Sequence, residues 1–363
     1  MIQYRQNKSQ GVFIMKKRIA IVGYGGQGAW HASWAQKSDV LELAGIYDIR
    51  EVRMEAARAL GIHTYDGGLA EILADKTVDI VLCATPNDVH HDIVCDSLRA
   101  GKHVVCEKPV ALSVGEFDDM CRAAKESGMC FTVHQNRRWD VDFLGIRSII
   151  RSGEIGEVLN IESRIHGSRG IPSDWRCHKP QGGGMVLDWG VHLIDQMLQL
   201  IPEKIVNVSC ELFNITNDEV DDGFHLHLVF ESGKRACVEV GTYNFLPLPR
   251  FYMQCKEGTA LIEDWQKKCR IAKLTAWCEK DVTPVQNAAG ITKTMAPRDE
   301  LTLDFYEIDR PTSDVHDFYR NFVRAIDGEE EMLIKQEEVR RVLLVMEACF
   351  LSGESHKTLE VSI

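Results

Sequence analysis

A short string near the start of the chain restricts its fold more than any other feature. Gly23-Tyr24-Gly25-Gly26-Gln27-Gly28 has the form G-x-G-x-x-G. It follows an apolar run at 18–22 and opens a helical run at 29–36. Asp48 stands twenty residues past Gly28, at the end of a second apolar run. Alone the string is weak. In this context it predicts the first strand–helix–strand unit of a dinucleotide-binding fold. Gly23 would make the tight turn, Gly25 would admit a pyrophosphate close to the backbone, and Gly28 would let helix meet strand. Gly26 and Gln27 complete the loop, and Asp48 would accept hydrogen bonds from the adenosine ribose. A carboxylate there repels a 2′-phosphate, so NAD is the expected cofactor. NADP is the alternative, because Arg50 follows just beyond Ile49 and would clamp that phosphate.

Runs at 18–22, 41–47, 78–83, 103–106 and 130–133 read as strands, with amphipathic stretches at 50–60, 87–100 and 113–127 between them. Apolar strands alternating with helices predict a parallel sheet covered on both faces. Ser113 followed by Glu116 reads as a capping box. Beyond 136 the pattern changes. A helix is expected at 140–152, ending at Gly153, then a strand at 158–166 and a helix at 186–200. Residues 204–264 alternate in the manner of antiparallel strands. Phe224, Leu226, Leu228 and Phe230 share one face, and Ser232-Gly233 sits at hairpin spacing. Residues 267–303 are the least readable. Helices at 315–326 and 335–351 and an edge strand at 359–363 close the chain. The expected fold is α/β. It comprises a tail at 1–16 (with Met15 a candidate start), a Rossmann domain at 17–136, and an α+β domain at 137–363 with a large open, mainly antiparallel sheet.

The chain has 363 residues, 45% hydrophobic and 26% charged, with a net charge of -12. That charge argues against nucleic acid or an anionic membrane as partner. Twelve cysteines are scattered without a Cys-x-x-Cys, so buried reduced thiols are expected rather than disulfides or zinc. His134, His178, His225 and His227 show no ligand spacing, and no metal is expected. No apolar run reaches membrane-spanning length, which fits a cytoplasmic enzyme.

The chemistry concentrates in two places. One is the C-terminal edge of the parallel strands, where ligands gather in such sheets. Ala84-Thr85-Pro86-Asn87-Asp88-Val89-His90 ends the third strand and Cys106-Glu107-Lys108-Pro109 the fourth. Thr85, Pro86, Asn87, His90, Glu107 and Lys108 are therefore candidate cofactor contacts. The other is Gly182-Gly183-Gly184-Met185-Val186-Leu187-Asp188-Trp189-Gly190-Val191-His192. Asp188 and His192 stand four apart on one expected helix face, next to a backbone that can approach a ligand. Hydride leaves a secondary alcohol carbon only as the hydroxyl proton departs, and imidazole is the side chain closest to working pH for that task. His192 is the expected base, Asp188 orients its ring, and Lys108 stabilises alkoxide charge. Lys108 as the base is the open alternative. Asp195, one turn later, is a candidate supporting residue. His166, Trp175, Arg176 and Arg138 are candidate substrate contacts.

Taken together, Gly-Tyr-Gly-Gly-Gln-Gly, Ala-Thr-Pro-Asn-x-x-His, Gly-Lys-His-Val-Val-Cys-Glu-Lys-Pro and Gly-Gly-Gly-x-x-x-Asp-x-Gly-x-His-x-x-Asp resemble the Gfo/Idh/MocA oxidoreductase family. The resemblance runs from about 17 to 352. It implies that Lys108, Asp188 and His192 surround a substrate hydroxyl and the nicotinamide, and that the Lys108–Pro109 bond is cis. It also implies a sugar, polyol or cyclitol substrate. The segment Asn136-Arg137-Arg138-Trp139-Asp140 is similar to that of scyllo-inositol dehydrogenase-like members, which often use NADP. Rival readings are NAD-assisted glycoside cleavage on the same fold and a non-catalytic cofactor sensor. A homodimer or homotetramer is expected, formed through the free face of the antiparallel sheet.

Overall fold

The computed structural model describes residues 16–275, 282–298 and 300–363. The expected tail, including Met15, lies outside the described residues except for its last residue. Strands β1 (Lys17–Val22), β2 (Leu41–Tyr47), β3 (Ile80–Cys83), β4 (His103–Cys106) and β5 (Phe131–Val133) form a parallel sheet in the order β2-β1-β3-β4-β5. Consecutive residues such as Val81 and Leu82, or Val104 and Val105, are both buried. Their side chains point to opposite faces, so both faces must be covered. Helices α1 (Gly26–Ala35), α2 (Glu51–Ala59), α3 (Leu69–Ala74), α4 (His90–Arg99) and α5 (Val114–Ser127) cover them. The strand order reverses beside β1, which opens a crevice at the carboxyl ends of β1 and β3. At α5 the expected capping box is half formed. Glu116 N–H donates to Ser113 Oγ (3.2 Å), but the Glu116 carboxylate accepts from Leu112 N–H instead of Ser113.

The second sheet has nine strands in the order β15-β12-β11-β10-β6-β9-β8-β7-β16. These are β6 (Val158–His166), β7 (Ile205–Phe213), β8 (Gly223–Phe230), β9 (Arg235–Gly241), β10 (Phe251–Cys255), β11 (Gly258–Ile262), β12 (Cys269–Leu274), β15 (Leu303–Ile308) and β16 (Leu359–Glu360). Every pairing is antiparallel except β6 with β9. A separate hairpin joins β13 (Val285–Asn287) to β14 (Gly290–Thr292), in the stretch whose pattern was hardest to read. Helices α6 (Val141–Ser152), α7 (Val191–Leu200), α8 (His316–Ile326) and α9 (Gln336–Ser355) complete the chain. Gly153 ends α6 in the left-handed conformation (φ 67°) that glycine adopts freely. Phe224, Leu226, Leu228 and Phe230 are buried on the helix-covered face. The opposite face carries Arg164, His166, His225 and Glu239, joined by ion pairs.

The apolar cores beneath the two sheets are continuous. Helix α9 packs on β7, α7 and α5 together. Its Glu347 accepts from Val114 N–H (2.8 Å) at the start of α5, so the last long helix ties the second sheet to the first. No helix among the described residues is long and apolar enough to cross a membrane.

Candidate active site

At the end of β1, Gly23 takes φ 92°, and a Cβ there would lie 2.5 Å from Ala84 O on the neighbouring strand. A Cβ at Gly28 would lie 1.9 Å from Gly23 O, so only glycine lets α1 start against the turn. Gly25 and Gly26 meet nothing within 4 Å. Gly26 and Gln27 are exposed, and no side chain caps α1. Uncapped N–H groups facing open space at a helix N-terminus suit a phosphate. Asp48 is buried. Its Oδ2 accepts from Tyr24 N–H (2.8 Å) and its Oδ1 from Arg50 N–H (2.9 Å), which holds the carboxylate at the rim of that space. Arg50 Nε lies 3.4 Å from the same carboxylate, and Ile49 projects into solvent. The open glycine cradle with an acid at its edge fits a dinucleotide: Gly25, Gly26 and Gln27 would hold the pyrophosphate, and Asp48 the ribose. Thr85 and Pro86 are half-buried across the crevice.

Two candidates on this edge turn out to be structural. His90 is fully buried. Its ring nitrogens lie 3.0 Å from Pro109 O and 3.1 Å from Thr85 O, so it braces two strand-end loops and has no edge left for nicotinamide. Glu107 is also buried. His31 Nε2 (2.8 Å) and His134 Nδ1 (2.9 Å) both donate to its Oε1, and Lys108 N–H donates to its Oε2 (3.1 Å). Burial raises this carboxyl, yet His134 and His31 hold it well below the usual carboxylate range. Tyr319 of α8 hydrogen-bonds the other nitrogen of His31. Glu107 therefore anchors the Lys108 backbone. The meeting of Glu107 with His31 and His134 has no local spacing that could reveal it in the sequence. A second buried trio, Cys83, His90 and Cys106, gathers just below Thr85.

The Lys108–Pro109 bond is cis, as the family resemblance implies. Lys108 Nζ donates to Asp188 Oδ1 and to Asp188 O, both at 3.0 Å. This contact joins the end of β4 to the turn before α7. Residues Val186–Gly190 form a π-helical turn, and α7 proper begins at Val191, which corrects the uniform helix expected over 186–200. The preceding glycines make room for the chain itself. A Cβ at Gly183 would meet Arg176 O at 2.2 Å, and one at Gly184 would meet Asp221 Oδ1 at 2.3 Å. Asp221 accepts from Val186 N–H (2.8 Å) and so caps the turn. Burial raises its carboxyl to about 7. Asn87 Nδ2 donates to Gly182 O (2.8 Å), which links the nucleotide edge to this loop.

Asp188 does not orient His192. Its other oxygen accepts from Arg176 Nε (3.3 Å), so it bridges two cations. Burial raises the Asp188 carboxyl, but Lys108 and Arg176 pull it below its ordinary value. His192 is 4% exposed, and its Nδ1 has no hydrogen-bond partner. Burial, then the positive charges of Lys108 and Arg137, hold its pKa well below 6.5. The imidazole is thus neutral at neutral pH and able to accept a proton.

Arg176 reaches the site and lies over the ring of Trp175 (4.5 Å). Arg138 does not. Its guanidinium is buried in a bidentate pair with Asp195 (2.7 and 2.6 Å) and also binds Glu338 (2.7 Å). Its neighbour Arg137 is the one that faces the site, 4.2 Å from the centroid of Trp189. His166 sits on the far face of the nine-stranded sheet, paired with Glu239 (3.0 Å), and is removed from the substrate contacts. Arg137, Trp189, Trp265 and Asp221 were not anticipated. Adjacent arginines look alike in sequence, and the π-turn that aims Trp189 leaves no simple pattern.

A model of the Gfo/Idh/MocA oxidoreductase family, NAD-binding Rossmann fold, matches residues 17–135, and that family's C-terminal domain matches 143–261. The solved structure of an NAD-binding protein from Listeria innocua is 44% identical, covers 95% of this chain and 99% of its own, and superposes with a TM-score of 0.92. A scyllo-inositol 2-dehydrogenase (NADP(+)) of Bacillus subtilis is 26% identical over 94% of this chain and 95% of its own. An uncharacterized oxidoreductase of Schizosaccharomyces pombe is 37% identical, but the match spans only 46% of either chain.

Proposed function

The chain belongs to the Gfo/Idh/MocA oxidoreductase family, and on that premise we propose an NAD-dependent dehydrogenase acting on a secondary hydroxyl of a sugar, polyol or cyclitol. The observation that carries this reading is the 3.0 Å contact between Lys108 of the nucleotide-binding sheet and Asp188 beside His192. It brings an ammonium and a neutral imidazole to the mouth of one crevice. A nicotinamide bound there would supply the two-electron hydride acceptor. His192 takes the hydroxyl proton. Lys108 spends two of its three N–H donors on Asp188 and keeps the third for the substrate oxygen. Asp188 fixes the ammonium, and Arg176 fixes Asp188.

A carboxylate at Asp48, which would meet the adenosine ribose, supports NAD, and Arg50 is the feature that would admit NADP. The domain boundary near 136, a cytoplasmic location and a homodimer or homotetramer formed through the polar sheet face belong to the same proposal. The test is a panel of sugars, polyols and cyclitols with NAD and with NADP, followed at 340 nm. Turnover with NAD at a secondary alcohol is expected. Bound NAD with cleavage of aryl glycosides and no net NADH would replace this reading with redox-assisted hydrolysis.

A further inference from the structure

Beside His192 lies a cation whose role the proton chemistry does not use. Arg137 packs against two adjoining indoles, its guanidinium carbon 4.2 Å from the centroid of Trp189 and 5.2 Å from that of Trp265, whose centroids are 5.7 Å apart. Trp189 also touches the His192 ring edge-on, with centroids 6.0 Å apart. Arg137 is therefore one ring away from the base. Its position is set from behind, since Gln196 of α7 donates to Arg137 O (2.9 Å). The indoles flank the guanidinium on one side, and its hydrogen-bond donors lie along its edge. Asp140 accepts from one terminal nitrogen (3.0 Å), whereas the buried Nε has no acceptor. A buried donor left without a partner is costly unless a ligand completes it.

The charges around this edge narrow the ligand. Lys108, Arg176 and Arg137 face the site. Asp188 bridges the first two, Asp174 sits on the outer side of Arg176, and Asp140 holds one corner of Arg137. A planar monoanion matches a guanidinium edge in two parallel hydrogen bonds. A phosphate dianion would meet two nearby carboxylates with only one arginine free to bind it. We propose that the substrate of this site is a polyhydroxylated carboxylate, an aldonate or uronate type of sugar acid, whose carboxyl group is seated on the edge of Arg137. This rests on the dehydrogenase reading for the reaction but not for the binding.

The experiment titrates the NADH-loaded full chain with D-gluconate, D-galacturonate, D-galactose and glucose 6-phosphate, following tryptophan fluorescence, and assays the same compounds with NAD at 340 nm. The acids are expected to bind at least about tenfold more tightly than galactose and the phosphate, as befits a charge-assisted pair. Arg137→Ala should erase that preference, chiefly through KM, and Arg137→Lys should restore part of it. Circular dichroism of each variant guards against misfolding. Equal or tighter binding of galactose or of the phosphate, or an acid preference that survives Arg137→Ala, overturns the inference. Binding of the acids without any NADH formed sustains it and removes the dehydrogenase reading. Turnover of neutral sugars with no binding of the acids does the reverse.

Discussion

Because Asp188 is committed to Lys108 and Arg176, His192 is a neutral imidazole with no carboxylate behind it. Its depressed pKa moves the acid limb of kcat/KM below pH 6.5, and a pH–rate profile should be flat through neutrality on that side. A limb centred at or above that value would rule out the imidazole as base. His192→Ala is expected to lower kcat by about two to four orders of magnitude, with NAD affinity by fluorescence titration little changed. The sequence singled out Lys108, Asp188 and His192, because each lies in a motif with its own spacing. It did not reveal who pairs with whom. Arg137 and Arg138 are neighbours of one type, and only the short turn at Asn136–Trp139 sends one to the site and buries the other. Glu107 meets His31 and His134 from positions 76 and 27 residues away, beyond any local pattern.

Among the elements, the turn before α7 is the most telling. Asp221 caps it from a buried position, and its folded pKa of about 7 lies above the ordinary 3.8. The native state therefore binds a proton more tightly than the unfolded chain does. The resulting stability is present below about pH 4 and is lost as pH rises through about 7. Urea unfolding of Asp221→Asn, which keeps an acceptor for Val186 N–H, should show a flatter dependence on pH than the parent across that window. Identical slopes would mean that the carboxyl is not buried as described. The Arg138–Asp195–Glu338 cluster ties the turn at Asn136–Trp139 to α7 and α9. Arg138→Ala leaves the buried Asp195 without its partner and should cost about 3–5 kcal/mol, measurable in the same unfolding experiment. Strand and helix positions in the nucleotide half were legible because a doubly covered sheet writes apolar runs into its strands. The stretch around β13 and β14 was not, since both strands are largely exposed and carry little apolar periodicity.

For the molecule as a whole, cofactor binding and stability are linked. NAD at about one hundred times its Kd should stabilise the fold by about 2.7 kcal/mol. Gly25→Val offers a sharp control. A Cβ at this position meets nothing within 4 Å, so the free protein should melt close to the parent, yet the NAD-induced shift should vanish. A shift that persists would place the pyrophosphate elsewhere. The division into a parallel and an antiparallel half could be read from the change of pattern near 136, but the single core that joins them could not. It depends on α9, the last long helix, returning to touch α5, α7 and β7 at once. The π-turn at Val186–Gly190 has a consequence for how such chains can diverge. Removing one residue from it would return the segment to ordinary α-helical pitch and swing everything upstream by about 100° about the axis. Asp188 would leave Lys108 while His192 stayed where it is, so a single-codon deletion would separate what the two halves of the chain bring together at this crevice.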